Sequence, residues 1–188
     1  LPLAPLLAVG AVEPTGIVVD SMSGVSGAGR GVQAGLQFGA VDESAKAYKI
    51  LEHRHRPEME RALDLESDAV VELVFTPHLV PMQRGILTTI YAQTNTGTTL
   101  DDLVSTLEDA YGDEPFVSLV TSSPETRWVV GSNRALISVN HDDRTGTAVL
   151  VCAIDNLVKG AAGQAIQAAN LMLGLDESAG LPMEGWMP

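Results

Sequence analysis

Six consecutive residues, His53-Arg54-His55-Arg56-Pro57-Glu58, place two imidazoles and a carboxylate within one short stretch. Histidine changes charge near neutral pH, so a pair of them beside an acid is suited to moving protons. Arg56 precedes a proline, which disfavours the helical region and predicts an extended backbone there. Side chains at i and i+2 of an extended segment share a face, so His53 and His55 are expected side by side. Pro57 then suits the first position of a helix over 57–66, with Glu58 in its first turn, near the positive end of the helix dipole. The same residue types also serve as a structural or solvated pair. A metal centre is a third reading, but zinc asks for three or four protein ligands. Only His78, His141 and the single thiol of Cys152 remain as further nitrogen or sulfur donors, and no metal is expected.

The elements that must position this stretch are legible from patterning. Ile17, Val18 and Val19 mark a buried strand over 16–22. The glycine- and serine-rich run Ser23-Gly24-Val25-Ser26-Gly27-Ala28-Gly29-Arg30-Gly31 follows it. Such a loop lets a ligand approach main-chain amides, although glycine-rich runs also serve as plain connections. It lacks the G-x-G-x-x-G spacing of a dinucleotide fingerprint. Residues 69–76 read as a strand with Val71, Leu73 and Phe75 on one face, interrupted by Pro77-His78-Leu79-Val80-Pro81. Residues 84–94 form the next strand. Thr98 or Thr99 caps a helix over 100–111, where Leu100, Leu103, Val104, Leu107 and Tyr111 recur at helical spacing. Strands are expected near 116–120, 126–131, 134–141 and 147–154, with a hairpin turn at Asp142-Asp143-Arg144-Thr145-Gly146. A last helix spans about 157–173, stopped by Gly174. Strands outnumber helices and many are hairpin-linked. The fold class is α+β, with a largely antiparallel or mixed sheet covered on one side by helices.

Composition narrows the partners. The chain has 188 residues with 11 Lys and Arg against 24 Asp and Glu, a net charge of −13. That argues against nucleic acid and anionic membranes, whose phosphates are bound by Lys and Arg. No apolar run is long enough to span a bilayer. One cysteine rules out an internal disulfide framework, and a reducing cytoplasm is the expected location. With so few cations, Arg30, Arg54, Arg56, Arg84 and Lys159 draw notice, and some of them are expected to gather around an anionic ligand. The first residues, Leu1-Pro2-Leu3-Ala4-Pro5-Leu6-Leu7-Ala8, read as the inside of a helix without a cap or a methionine. Its apolar face is expected to be naked, as in a piece of a longer polypeptide.

SGVSGAGR at 23–30, HRHRPE at 53–58, FTPHLVPMQRG at 75–85, VGSN at 130–133 and IDNLVKGAAGQAIQ at 154–167 follow one another in this order. Together they resemble the catalytic and dimerisation half of the N-acetyl-gamma-glutamyl-phosphate reductase family, over residues 1 to about 181. The run from Asp155 to Gln164 is its most specific part. The resemblance implies the C-terminal domain fold of glyceraldehyde-3-phosphate dehydrogenase-like proteins. It implies a substrate-binding and dimerisation domain over 1–188, whose C-terminal helix and tail, 155–188, pack on a nucleotide-binding domain not contained in this sequence. It implies NADP(H) as cofactor, a small acyl phosphate as substrate, a role in arginine biosynthesis, and a homo-oligomer, dimer or tetramer.

The resemblance also implies roles residue by residue. His55 resembles the histidine of the catalytic pair, with His53 and Glu58 supporting it, and one of the two imidazoles handles the proton. Ser23, Gly24 and Ser26 line the substrate and nicotinamide pocket, Tyr48 and Arg84 contact the substrate or its phosphate, and Gly24 and Asn156 meet the nicotinamide end of the cofactor. Asn156 is placed to cap the last helix as well. The family's nucleophilic Gly-Cys-Tyr-Pro-Thr motif is absent here. Cys152 is no substitute, because mid-strand it behaves as a small buried hydrophobe. The fragment alone is expected to lack reductase activity. Two other readings stand beside this one. The first is a reductase of a carrier-bound aminoadipyl phosphate, whose pocket would favour basic residues. The second is a non-enzymatic assembly or ligand-binding module on the same fold.

Overall fold

The computed structural model describes residues 1–29, 31 and 33–186. A seven-stranded mixed sheet forms its centre. The strands are β1 (Ile17–Ser23), β2 (Lys46–Ala47), β3 (Leu73–Leu79), β4 (Ile86–Gln93), β5 (Val117–Leu119), β6 (Ala135–Asp142) and β7 (Thr147–Ile154), in the order β2-β3-β1-β4-β7-β6-β5. The β1–β3 and β5–β6 pairs are parallel, and the other four are antiparallel. The α+β, largely antiparallel expectation holds.

Registers show which side chains share a face. Val19, Phe75, Ile90 and Leu150 lie in one row across the sheet, and Ser21, Pro77, Thr88, Cys152 and Ile137 in the next. This face carries the main core. Helix α1 (Ala4–Ala8) buries Leu6 and Leu7 in it, and α4 (Leu100–Tyr111) buries Leu103 and Leu107 completely. Each such leucine contributes roughly 1.5–3 kcal/mol. The expectation of a naked apolar face on the first helix is therefore wrong. Leu3, Leu6 and Leu7 insert between the sheet and α4, because a two-turn apolar segment finds its cover in the sheet's own core.

The opposite face stays largely uncovered. It presents Met22, Val74 and Tyr91, all exposed, with Val18, Leu87, Val149 and Val151 half-buried around them. Among the described residues only its far end is covered, by a small second core of Val129, Leu136 and Ala153.

Helix α4 begins as read from sequence. Thr99 is its cap, and Asp102 returns the bond: the Thr99 hydroxyl accepts from the Asp102 N–H at 3.3 Å, and Asp102 Oδ2 accepts from the Thr99 N–H at 2.8 Å. Three boundaries differ from expectation. Strand β3 runs straight through Pro77 to Leu79. The Pro77 carbonyl points toward the short edge strand β2, where it accepts the Tyr48 N–H at 3.0 Å. The missing N–H lies on that same edge side, so no bond to β1 is lost. Residues 126–131 are not a strand. Thr126–Trp128 form a 3₁₀ turn, and the chain curls through Gly131 at φ +87°, seating Val129 in the second core. The last helix is split: Val158–Ala162 is one π-helical turn, and α5 (Gly163–Met172) continues it until Gly174 at φ +68°.

Candidate functional site

Helix α3 (His55–Asp64) starts two residues earlier than the proline implies. Arg54 and Arg56 are therefore helical and not extended. A proline in the first turn sacrifices only an N–H that has no intrahelical partner, so the turn can form around it. The two imidazoles nevertheless meet, by a different route. The His53 Nδ1 accepts the backbone N–H of His55 at 3.3 Å, and the rings lie edge to face with centroids 4.8 Å apart. His53 thus satisfies an orphan donor at the head of α3.

The helix itself is pinned to β3. Asp64 Oδ1 accepts the Val71 N–H at 2.7 Å, Glu60 Oε1 accepts the Leu73 N–H at 3.3 Å, and Leu63 is buried in the core. Arg56 pairs with Glu60 along the helix at 3.9 Å.

Three rings box His53: His55, Tyr48 at 5.7 Å and Phe75 at 5.2 Å. Burial pushes its pKa below the ordinary 6.5. His55, Lys49 and Arg54 push the same way, and only Glu58 opposes them. Tyr48, half-buried, has its phenol pushed up by desolvation. His55 is exposed at the first helical position. Glu58 sits in the first turn, exposed, and forms neither a hydrogen bond nor an ion pair among the described residues. The turn delivering the chain to this cluster is strained: Lys49 and Leu51, neither a glycine, hold φ at +46° and +62°. Left-handed backbone costs such residues about 1–2 kcal/mol each, and strain of this kind gathers at working sites.

The serine–glycine loop forms a second cluster, at the end of β1. Val25–Ala28 make a 3₁₀ turn that docks on the β3–β4 connection: Val25 and Ser26 donate their N–H groups to the carbonyls of Met82 and Gln83 at 2.9 and 3.2 Å. Gly24 is required there. A Cβ on it would lie 2.8 Å from the Gln83 carbonyl oxygen and 2.9 Å from the Arg84 nitrogen. Asn156 stitches the two segments together. Its Oδ1 accepts the Gly85 N–H at 2.8 Å, and its Nδ2 donates to Ser26 Oγ at 3.0 Å, which in turn donates to the Gln83 carbonyl at 2.6 Å.

Asn156 does not cap the last helix; Asp155 does. The Asp155 Oδ1 accepts the N–H groups of Leu157 at 2.7 Å and Val158 at 3.1 Å, its Oδ2 accepts that of Gly131 at 2.6 Å, and the fully buried carboxylate is paired with Arg84 Nη2 at 2.9 Å. Sequence reading passed over Asp155, although an aspartate just ahead of an apolar helical run is itself a cap signal.

The two clusters share the helix-covered face of the sheet. Phe75, beside His53, pairs with Val19, and Leu79 pairs with Ser23. Four residues separate these rungs, roughly 13 Å along the strands. Tyr48 lies between them, level with Pro77.

The basic residues do not converge. Arg84 is held by Asp155, Arg56 by Glu60, and Lys159 is buried, donating to Gln167 Oε1 at 2.6 Å. Arg54 is exposed at the head of α3; Arg30 lies outside the described residues. Cys152 faces the core, and burial pushes its thiol up to about 11, which leaves it unreactive near neutrality.

A nicotinamide carboxamide has a partial fit beside Asn156. That side chain has used one of its two donors and one of its acceptor lone pairs. Gly27 packs over the Asn156 side chain and the Ser23 hydroxyl, since a Cβ on it would lie 3.4 Å from Asn156 Nδ2 and 3.5 Å from Ser23 Oγ. Among the described residues no cluster of three or more His, Cys, Asp or Glu is poised for a metal, and no helix is long and apolar enough to cross a membrane.

Comparison with known proteins places this geometry in context. Residues 1–156 match the family described as "Semialdehyde dehydrogenase, dimerisation domain". An N-acetyl-gamma-glutamyl-phosphate reductase of Desulforapulum autotrophicum is 48% identical over 185 residues, 97% of this chain and 54% of its own length. One of Rhodospirillum rubrum is 47% identical over 190 residues, 100% of this chain and 54% of its own length. The chain thus spans about half the length of the curated relatives it matches. Among solved structures, aspartate semialdehyde dehydrogenase II of Vibrio cholerae, complexed with ASA, superposes with a TM-score of 0.70 at 19% identity, over 92% of this chain and 59% of that one. The Candida albicans aspartate semialdehyde dehydrogenase, solved with NADP, gives 0.60 at 14%, over 92% and 53%. At such identities these likenesses show the fold alone. The resemblance read from the five sequence segments is borne out.

Proposed function

The chain belongs to the semialdehyde dehydrogenase dimerisation-domain family, and from that premise we propose that it is the substrate-binding and dimerisation part of an NADPH-dependent N-acetyl-gamma-glutamyl-phosphate reductase. In this reading the whole protein converts N-acetyl-glutamyl 5-phosphate to the 5-semialdehyde and phosphate, a step of arginine biosynthesis in the cytoplasm. The observation that carries it is the histidine pair, one ring locked and the other open. With His53 Nδ1 accepting a backbone N–H, the ring proton of neutral His53 sits on Nε2, and its lowered pKa keeps it neutral. His55 is the imidazole left to exchange a proton with solvent and reactant, so the proton role falls to His55 and the positioning role to His53.

The chemistry needs a thiolate that attacks the acyl carbon, expels phosphate and forms a thioester. Cys152 cannot supply it, so the thiol comes from outside this chain. When bound, NADPH supplies the hydride that reduces the thioester. His55 takes the thiol proton before attack and returns a proton to the departing sulfur. Ser23, Gly24 and Asn156 would hold the nicotinamide end. Ser26 and Tyr48 would meet the acyl chain. Glu58, close enough to oppose the lowering of the His53 pKa, supports the pair electrostatically. Arg84 is neutralised by Asp155, so in this reading it holds the site's framework and the substrate anion is met elsewhere.

The open apolar sheet face around Met22, Val74 and Tyr91 is the surface on which a second copy would pack. The 1–188 unit would also use 155–188 to meet the nucleotide-binding part of the protein. Among the described residues in that stretch, Ile166, Leu171, Met172 and Leu173 are exposed.

The test is an assay of the full-length protein with N-acetyl-glutamyl 5-phosphate and, separately, with a carrier-bound aminoadipyl phosphate. NADPH loss matched one to one by phosphate release with the first substrate is the expected result. Turnover with the second alone, or with neither, would overturn the reading.

A further inference from the structure

The C-terminal tail does not trail away from the site. It returns along the segment after the 3₁₀ turn: the Asn133 N–H donates to the Pro182 carbonyl at 2.8 Å, and the Trp186 N–H donates to the Val130 carbonyl at 2.8 Å. Gly185 makes the close approach possible, since a Cβ there would lie 2.9 Å from the Trp128 carbonyl oxygen. The indole of Trp186 then lies against two groups. It covers Gly131, where a Cβ would fall within 2.5 Å of the ring, and it stacks on Arg84, whose guanidinium carbon is 4.8 Å from the ring centroid.

Both covered groups belong to the Asp155 carboxylate. Arg84 Nη2 and the Gly131 N–H are two of its donors. The Arg84 Nε is buried with no hydrogen-bond partner among the described residues. The aromatic face on the guanidinium offers that charge its remaining compensation. Nothing in the composition of the tail announced this, because Trp186 and Arg84 lie about a hundred positions apart in the chain.

We propose that Trp186 is a positioning residue: its indole clamps Arg84 and Gly131 onto Asp155, and so holds the Asp155–Asn156 turn in register for a nicotinamide cofactor. The clamp stands on geometry alone. Its consequence for the cofactor rests on the function proposed above.

The experiment compares Trp186→Ala, Trp186→Leu and Trp186→Phe in the full-length protein by amide hydrogen exchange at Gly131, Leu157 and Val158, and by NADPH titration. A stacked cation is worth on the order of 1 kcal/mol, a factor of about five. Exchange at those three amides should quicken about five-fold in the Ala and Leu variants and stay near wild type in Phe. NADPH affinity should weaken in the same order. Unchanged exchange in Trp186→Ala would overturn the clamp. Protection by leucine equal to that by phenylalanine would do so too, because the ring would then be a plain apolar cover. Ordered exchange with unaltered NADPH affinity in all three variants would overturn the positioning role. A wild-type protein that bound no NADPH would sink the functional reading and the cofactor consequence with it, while the exchange order still decided the clamp.

Discussion

Asp155→Asn is the perturbation that bears most heavily on the framework of the site. The wild-type carboxylate is fully buried and accepts from Arg84, Gly131, Leu157 and Val158. Asparagine keeps the shape and one acceptor oxygen. The other oxygen becomes an NH₂ group, which must face the Gly131 N–H and the Arg84 Nη2 as donor against donor. Removing one partner of a buried pair costs about 3–5 kcal/mol, and an orphaned amide adds about 1–3 kcal/mol. The Arg84 side chain is 20% exposed, and water at that edge lowers the total. We expect a loss of about 3 kcal/mol, which for a chain of this size is a fall in Tm of roughly 6–12 °C. Urea unfolding followed by circular dichroism, with calorimetry for Tm, measures it. Arg84→Met in the same background supplies the cycle: the double variant should be more stable than the sum of the singles by about 1–3 kcal/mol. An Asp155→Asn protein within about 0.5 kcal/mol of wild type, or strict additivity with Arg84→Met, would refute the claim that this carboxylate organises the site.

Two further outcomes are expected. His53 has a folded pKa lowered below 6.5 by burial first, so the folded state favours its neutral ring. Its contribution to stability should be fully present above about pH 6.5 and be lost as pH falls through its own lower midpoint. NMR titration should place that midpoint below 6.5 with Nδ1 unprotonated, and a midpoint at or above that value would contradict the boxed, neutral ring. On the open sheet face, Tyr91→Glu places a charge among exposed apolar side chains. Light scattering should show the assembly mass fall by a step, whereas an unchanged mass would remove this face as the contact between copies.

Local pattern carried much of the fold into view. Helix α4 announced itself through Thr99 and through leucines at helical spacing, and β7 through a run of small and β-branched residues, because in both the local preference and the tertiary demand agree. Elsewhere the two diverge. Pro77 looked like a break, yet its missing N–H falls on the poorly paired edge of β3. Val129 and Val130 looked like a strand, yet the second core takes Val129 from a turn.

The candidate site shows the same division. The Ser23–Ser26 loop and the histidine pair were visible as motifs, and the pair does meet, though through a ring nitrogen at a helix head and not along an extended segment. Trp186 was not visible, and Asp155 was visible only as a helix-cap signal. Their importance arises from contacts to Arg84 and Gly131 that only the folded chain brings together.

The central claim, that His55 moves the proton of an acyl-phosphate reduction, is tested most directly by His55→Ala in the full-length protein. With N-acetyl-glutamyl 5-phosphate and NADPH, turnover should fall about 10²–10⁴-fold, while the NADPH dissociation constant stays within about twofold. Turnover close to wild type in that variant would contradict it.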